Sequence, residues 1–97
     1  MLPLGHMSVA TLHDPVWKAL ADPNRREILE MLRAKPRTTG ELCGNFQGLS
    51  RFAVMKHIRL LERAALLTSK RNGRFRWNYL NPSPLRRLGT GWLDQYR

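Results

Sequence analysis

The sequence predicts a mainly α-helical domain with a small β-hairpin. Three observations carry that prediction. Over Leu49 to Leu67, apolar residues recur at helical spacing: stepping about 100° per residue from Val54 brings Ile58, Leu61 and Ala65 into one sector. After Leu67, two short runs rich in β-branched, aromatic and basic residues flank Asn72-Gly73, the strongest short hairpin signal. A capping residue directly before proline recurs at Asp14-Pro15, Asp22-Pro23 and Ser83-Pro84, and marks three helix starts.

Residues 1–12 read as a disordered tail ahead of one domain over 13–97; Gly5-His6-Met7 fits a cloning scar, with Met7 as natural start, or native sequence. The first helix opens near Asp14-Pro15 and carries the stripe Val16, Trp17 and Leu20. Asp22 caps the second, which turns Ile28, Leu29, Met31 and Leu32 inward and Arg25, Arg26, Glu27 and Glu30 to solvent, until Lys35-Pro36 stops it. Thr38 or Thr39 caps a short third helix through Phe46, with Leu42, Cys43 and Phe46 buried. Gln47-Gly48 turns into the fourth helix, capped by Ser50. A short helix, a turn with glycine and then a basic helix is the helix-turn-helix arrangement.

The hairpin reading makes Asn72-Gly73 a type I′ turn, pairing Arg71 with Arg74, Ser69 with Arg76 and Thr68 with Trp77. Phe75, Trp77 and Tyr79 then share one face, and Arg71, Arg74 and Arg76 the other. A last helix starts at Ser83-Pro84. Its stripe of Leu85, Leu88, Trp92, Leu93 and Tyr96, like that of the first helix, exceeds what a small domain can bury and predicts a dimer surface of Val16, Trp17, Leu20, Leu85, Leu88, Trp92 and Leu93. Trp17, Trp77 and Trp92 are expected as core or interface anchors.

The formal net charge is +10, from 17 basic and 7 acidic residues, which favours a polyanionic partner. The excess is local. Leu49 to Leu80 holds eight basic side chains against Glu62 alone, whereas Met1 to Gly48 is nearly balanced at six to five. On the fourth helix, Phe52, Lys56, Arg59 and Arg63 fall opposite the apolar sector. That is what a helix lying in a DNA major groove needs. Arg51, Phe52, Met55, Lys56 and Arg59 are the candidates for base edges. Arg63, and Lys70, Arg71, Arg74 and Arg76 on the hairpin, are the candidates for phosphates or the minor groove; His57 is a candidate for a local hydrogen bond or a phosphate contact.

Other chemistry is poorly provided for. No serine-histidine-aspartate set, paired carboxylates or glycine-rich phosphate loop is present, so no enzyme and no cofactor is expected. The single Cys43 excludes an internal disulfide, and no apolar run has the length of a membrane span or the form of a signal peptide, so a cytoplasmic protein without membrane contact is the default.

At this point the chain carries a family resemblance. Ala19-Leu20-Ala21-Asp22-Pro23-Asn24-Arg25-Arg26-Glu27-Ile28-Leu29 resembles the opening signature of ArsR-type winged-helix transcriptional regulators. Leu49-Ser50, then Val54, Lys56-His57-Ile58, Leu60-Leu61-Glu62, Ala64 and Leu66-Leu67, resembles their recognition helix, and the basic hairpin their wing. The resemblance covers about Pro15 to Leu80. It implies a winged helix-turn-helix fold, a homodimer joined through first and last helices, double-stranded DNA with an inverted-repeat operator, and a repressor, often released by an effector whose identity the sequence does not give. The major groove is then read by helix 50–64, and the backbone or minor groove is touched by wing 68–80. An RNA-binding or ribosome-associated winged helix, and a basic module docking an acidic protein, are the alternatives.

Two departures stand out. Metal-sensing members carry a Cys-x-Cys pair in the third helix, where this chain has Glu41-Leu42-Cys43-Gly44-Asn45, and Asp94 is the sole carboxylate of the last helix, without a histidine. Metal sensing is therefore not carried over. Many members also end the recognition helix with glycine, where this chain has Ala65; if that position is left-handed, alanine costs on the order of 1 kcal/mol there. One cysteine cannot supply the several ligands that zinc requires. Zinc titration is accordingly expected to leave DNA affinity unchanged, and Cys43→Ser to bind DNA like the parent; a tight stoichiometric zinc site that abolishes binding would contradict this.

Overall fold

A computed structural model describes residues 15–94, with side chains as far as Gly89. The expected tail 1–12, the Asp14 cap and the side chains of Trp92, Leu93, Asp94 and Tyr96 lie outside the described residues. The element order is α1 (residues 15–20), α2 (Pro23–Ala34), β1 (Arg37–Thr38), α3 (Thr39–Gly44), α4 (Arg51–Arg63), β2 (Leu67–Asn72), β3 (Phe75–Leu80) and α5 (Ser83–Asp94). A three-stranded antiparallel sheet of order β1-β3-β2 closes one side of the helices. This is the mainly helical, winged architecture that the sequence predicts.

The helix starts follow their local chemistry. Asp22 caps α2 by accepting from the amides of Asn24 at 2.7 Å and Arg25 at 3.2 Å, with Pro23 in the first turn. Desolvation alone would raise the Asp22 carboxyl. The Arg25 and Asn24 amides, with His57 and the Arg25 charge nearby, outweigh it and hold the group below the usual carboxylate range. A lowered carboxyl contributes stability that is fully present above its unfolded value and is lost as pH falls through the lowered one. Thr38 caps α3 in a reciprocal capping box: its Oγ1 accepts from the Glu41 amide at 3.1 Å, and its own amide donates to Glu41 Oε1 at 3.0 Å. That bond from Thr38 lowers the Glu41 carboxyl as well. Ser50 Oγ accepts from the Ala53 amide at 3.1 Å and starts α4.

The core forms where these helices meet the sheet. Ile28, Leu42, Val54, Ile58, Leu61, Leu66 and Leu67 are all fully or almost fully buried. Several expectations shift in detail. Helix α3 ends at Gly44, two residues early, and Cys43 and Phe46 are only half-buried against the core. Helix α5 starts at Ser83, one residue early: the Ser83 amide donates to Asn81 Oδ1 at 3.3 Å and the Arg86 amide to the Pro82 carbonyl at 3.0 Å. Arg25 is not a free solvent residue but half-buried.

The hairpin register differs from the expected one by two residues. Asn72 pairs with Phe75, Arg71 with Arg76, Ser69 with Asn78 and Leu67 with Leu80, so Gly73 and Arg74 form the loop. Only Gly73 takes a positive φ, +65°, at the first loop position, which fits a type II′ turn; Asn72 belongs to the strand. The reason for this register is burial. It places Leu67 and Leu80 opposite each other and sets the fully buried Asn78 beside Ser69. A shift of two preserves the faces, so Phe75, Trp77 and Tyr79 do share one side.

Helix α4 ends where Ala65 adopts φ +60°. Ala65 is therefore not part of the apolar sector; it is exposed, and Ala64 is buried in its place. The Leu66 amide donates to the Leu61 carbonyl at 3.0 Å and the Ala65 amide to the Glu62 carbonyl at 2.9 Å, which is a Schellman motif. Asn81 reinforces it: its Nδ2 donates to the Ala65 carbonyl at 2.8 Å, and its amide to the Leu66 carbonyl at 2.9 Å. Ala65→Gly is expected to stabilise the fold by about 1 kcal/mol, because the Cβ penalty of a left-handed backbone disappears. Urea denaturation measures it; an unchanged or lower midpoint would contradict the strain.

Candidate nucleic-acid interface

Packing sets the rotation of α4. Val54, Ile58 and Leu61 sit in the core at 0–1% exposure, so the opposite strip must face out. Phe52, Lys56, Arg59 and Arg63 are exposed on that strip, with Phe52 at 70%. Arg51 and Met55 lie on the flank that turns toward the wing.

Between that flank and the wing lies an open cleft of about 390 Å³. It brings together five of the residues singled out in the sequence: Arg51, Met55, Arg71, Arg74 and Arg76. It adds four that sequence reasoning missed, Thr38, Thr39 and Gly40 at the start of α3 and Phe75 beside the turn. Thr38 and Thr39 are visible in the sequence as capping residues. What brings them to the wing is the two-residue pairing of β1 with β3, Arg37 to Asn78 and Thr38 to Trp77.

Four guanidinium groups therefore converge on one concavity. The acidic counterpart is Glu62, whose Oε2 lies 3.5 Å from Arg76 Nη2, a long and solvent-exposed pair worth little. The cleft remains cationic, and low-dielectric walls around a cluster of one sign focus its field outward.

Two predicted residues belong neither to this concavity nor to the outward strip of α4. Lys70 pairs with Trp77 and so stands on the other face of the hairpin, beside Tyr79 and Thr68. His57 is half-buried on the α2 side of α4, where Arg25 Nη1 lies 3.1 Å from its Nδ1. Because arginine only donates, this contact is a hydrogen bond with Nδ1 as the acceptor. Arg25 also donates from Nε to the Ala19 carbonyl at 2.8 Å and from Nη2 to the Lys18 carbonyl at 2.9 Å. Arg26 Nη1 donates to the Leu20 carbonyl at 2.7 Å. These two arginines cap the end of α1, where the Ala21 amide meets the Lys18 carbonyl at 3.3 Å and the guanidinium groups supply the further donors. In the sequence they look like ordinary solvent-facing residues of a first helical turn.

The residues expected at a dimer surface divide. Val16 and Leu88 are covered within the subunit, at 7% and 8% exposure, and Leu20 and Leu85 are half-buried against the core. Trp17 is 48% exposed and so is not a core residue. Among the described residues no three histidine, cysteine, aspartate or glutamate side chains come together as a metal site, and no helix is long and apolar enough to cross a membrane.

Comparison with known proteins adds an independent line. A family model described as a helix-turn-helix domain matches residues 20–70. The uncharacterized HTH-type transcriptional regulator YuzN of Bacillus subtilis is 37% identical over 87 residues, 84% of this chain and 95% of that protein. The transcriptional repressor SdpR of the same species is 33% identical over 70 residues, 72% of this chain and 77% of that one. The crystal structure of an ArsR family transcriptional regulator superposes with a TM-score of 0.79 at 30% identity, covering 86% of this chain and 90% of that chain.

The placement of Arg25 generates a test that is separate from any ligand. Arg25→Met keeps the apolar stem but removes the side-chain donor of the Ala19 carbonyl and of the His57 ring, and one of the two donors at the Lys18 carbonyl, which the Ala21 amide also meets at 3.3 Å. It is expected to lower stability by about 1–3 kcal/mol, whereas the exposed Arg33→Met should change it by less than about 0.5 kcal/mol. Equal urea midpoints for the two variants would rule out the capping role.

Proposed function

The chain belongs to the ArsR-type family of helix-turn-helix transcriptional regulators, and on that premise we propose that it is a homodimeric repressor of an inverted-repeat DNA operator. Helix 50–64 reads the major groove, and wing 68–80 touches the backbone or the minor groove. The observation that carries this reading is the continuity of one cationic surface. The outward strip of α4 runs directly into the arginine-lined cleft beneath the wing. A helix of ordinary diameter fits a major groove about 12 Å wide.

Within that reading the residues take distinct tasks. Arg51, Phe52, Met55, Lys56 and Arg59 approach base edges. Arg63, Arg71, Arg74 and Arg76 hold phosphates or enter the minor groove. We assign no DNA contact to His57, whose ring is engaged by Arg25, and Lys70 would reach only a phosphate beyond the outer face of the wing. Dimerisation is supported by Trp17, a large indole left half in water on a helix where Val16 and Ala19 are already buried and Leu20 is half-buried. Trp17 with Leu20, Leu85, Trp92 and Leu93 is the proposed shared surface; Val16 and Leu88 serve the subunit's own core. The name of SdpR supports the repressor role.

Helix and wing are separable by salt titration of an operator and a scrambled duplex. A side chain on a base edge contributes discrimination, about 1–3 kcal/mol for a good bidentate contact. A side chain on phosphate contributes affinity to every sequence, and its loss lowers the salt slope by about one unit. Arg51→Ala and Lys56→Ala should therefore relax operator preference, while Arg74→Ala should weaken both duplexes alike and flatten the slope. The reverse pattern would mean that the two elements have exchanged roles, and absence of any duplex affinity would remove the DNA reading.

A further inference from the structure

We propose that Phe52 reads the C5 methyl group of a pyrimidine in the major groove, so that each operator half carries a thymine or a 5-methylcytosine at one defined position. This rests on the DNA reading above and adds the chemistry of one contact to it. Phe52 is the most exposed large apolar side chain among the described residues, at 70%. The fold has no use for it: Val54, Ile58 and Leu61 fill the inner side of α4 without it. Of the other exposed aromatic side chains, Tyr79 shares the outer face of the sheet with the half-buried Trp77, Trp17 stands on the apolar helix α1, and Phe75 lines the arginine cleft beside the turn.

Phe52 has cations around it. Arg51 precedes it, Lys56 follows one turn later and Arg59 one turn after that, all exposed. An apolar protein partner covering the ring would have to desolvate those charges without pairing them, which is costly. A duplex neutralises them with phosphates and base acceptors. In the major groove, guanine and adenine edges, and the N4 amino group of cytosine, offer polar atoms; the methyl of thymine is the apolar group that an aromatic ring can bury. A methylated cytosine carries the same group. The position in the first turn suits this, since the N-terminal residues of such a helix approach base edges.

The experiment starts from a duplex selected out of random-sequence DNA by the intact chain. Each thymine is replaced singly by deoxyuridine, which removes the methyl and nothing else. Affinity should fall about fourfold at one position in each half, the factor that corresponds to burying one methyl, and Phe52→Ala should bind the thymine and deoxyuridine duplexes equally at that position. Because Phe52 is exposed, the variant keeps the fold, which circular dichroism verifies. At the same position, 5-methylcytosine is compared with cytosine. A gain of about fourfold for the parent alone shows that the methyl is read from either base, and no gain confines the contact to thymine. The proposal is overturned if no deoxyuridine weakens the parent, or if Phe52→Ala suffers the same losses. If the parent selects no duplex at all, the DNA reading itself fails, which is a different result.

Discussion

Everything that positions the wing depends on one buried amide. Asn78 lies in the middle of β3 with no solvent exposure. Its Nδ2 donates to the Arg37 carbonyl and to Thr39 Oγ1, both at 3.2 Å, and its Oδ1 accepts from Ser69 Oγ at 2.8 Å. One side chain thus ties together β1, the first turn of α3, β2 and β3. A buried amide left without partners costs about 1–3 kcal/mol, and a slip of one residue would exchange Asn78 with an aromatic neighbour on the other face. The register of the hairpin, the attachment of the two-residue strand β1 and the nearness of α3 to the wing all follow from satisfying this group. The arginine-lined cleft exists because of that arrangement.

Helix α4 is governed differently, by its ends and its inner face. Ser50 starts it, the Schellman turn at Ala65 and Leu66 stops it, and Asn81 binds that turn from the strand side. Burial of Val54, Ile58 and Leu61 removes its freedom to rotate. The cationic strip is consequently presented by a rigid element, and the more adaptable contributions come from long arginine side chains on the hairpin. A left-handed alanine at the helix end is tolerated because four hydrogen bonds and the burial of Leu66 fix the backbone there.

What was legible in the sequence was local. Asp22-Pro23, the threonines at 38 and 39 and Ser50 each announce a helix start, and the period of Val54, Ile58 and Leu61 determines which side of α4 is buried. What was not legible depends on distant partners. Strand β1 has only Arg37 and Thr38, and no two-residue pattern signals a strand before β3 is in place. The Asn-Gly pair marked the hairpin correctly but misplaced the loop, since Gly73 alone supplies the positive φ and Asn78 decides the register. Arg25 reads as a surface residue until the end of α1 is brought beside it. Trp17 reads as a core or an interface anchor, and the core alternative falls only when Val16 and Ala19 take the core positions of that helix. Of the site, the arginines of α4 and the wing were visible as a charge excess, whereas Thr38, Thr39, Gly40 and Phe75 became neighbours only through the sheet.

Arg25 also has a geometric meaning. It joins the end of α1 to His57 on α4, so the helix bearing Trp17 and the helix bearing Phe52 are braced by one guanidinium. In a twofold pair assembled through α1, the angle at that brace sets how far apart the two copies of α4 stand. DNA presents equivalent faces one helical turn apart, about 34 Å, and small tilts at the brace translate into displacements of both reading helices. On the proposed dimer, half-site spacing would then depend on a residue that lies off the outward strip of α4, between α1 and His57.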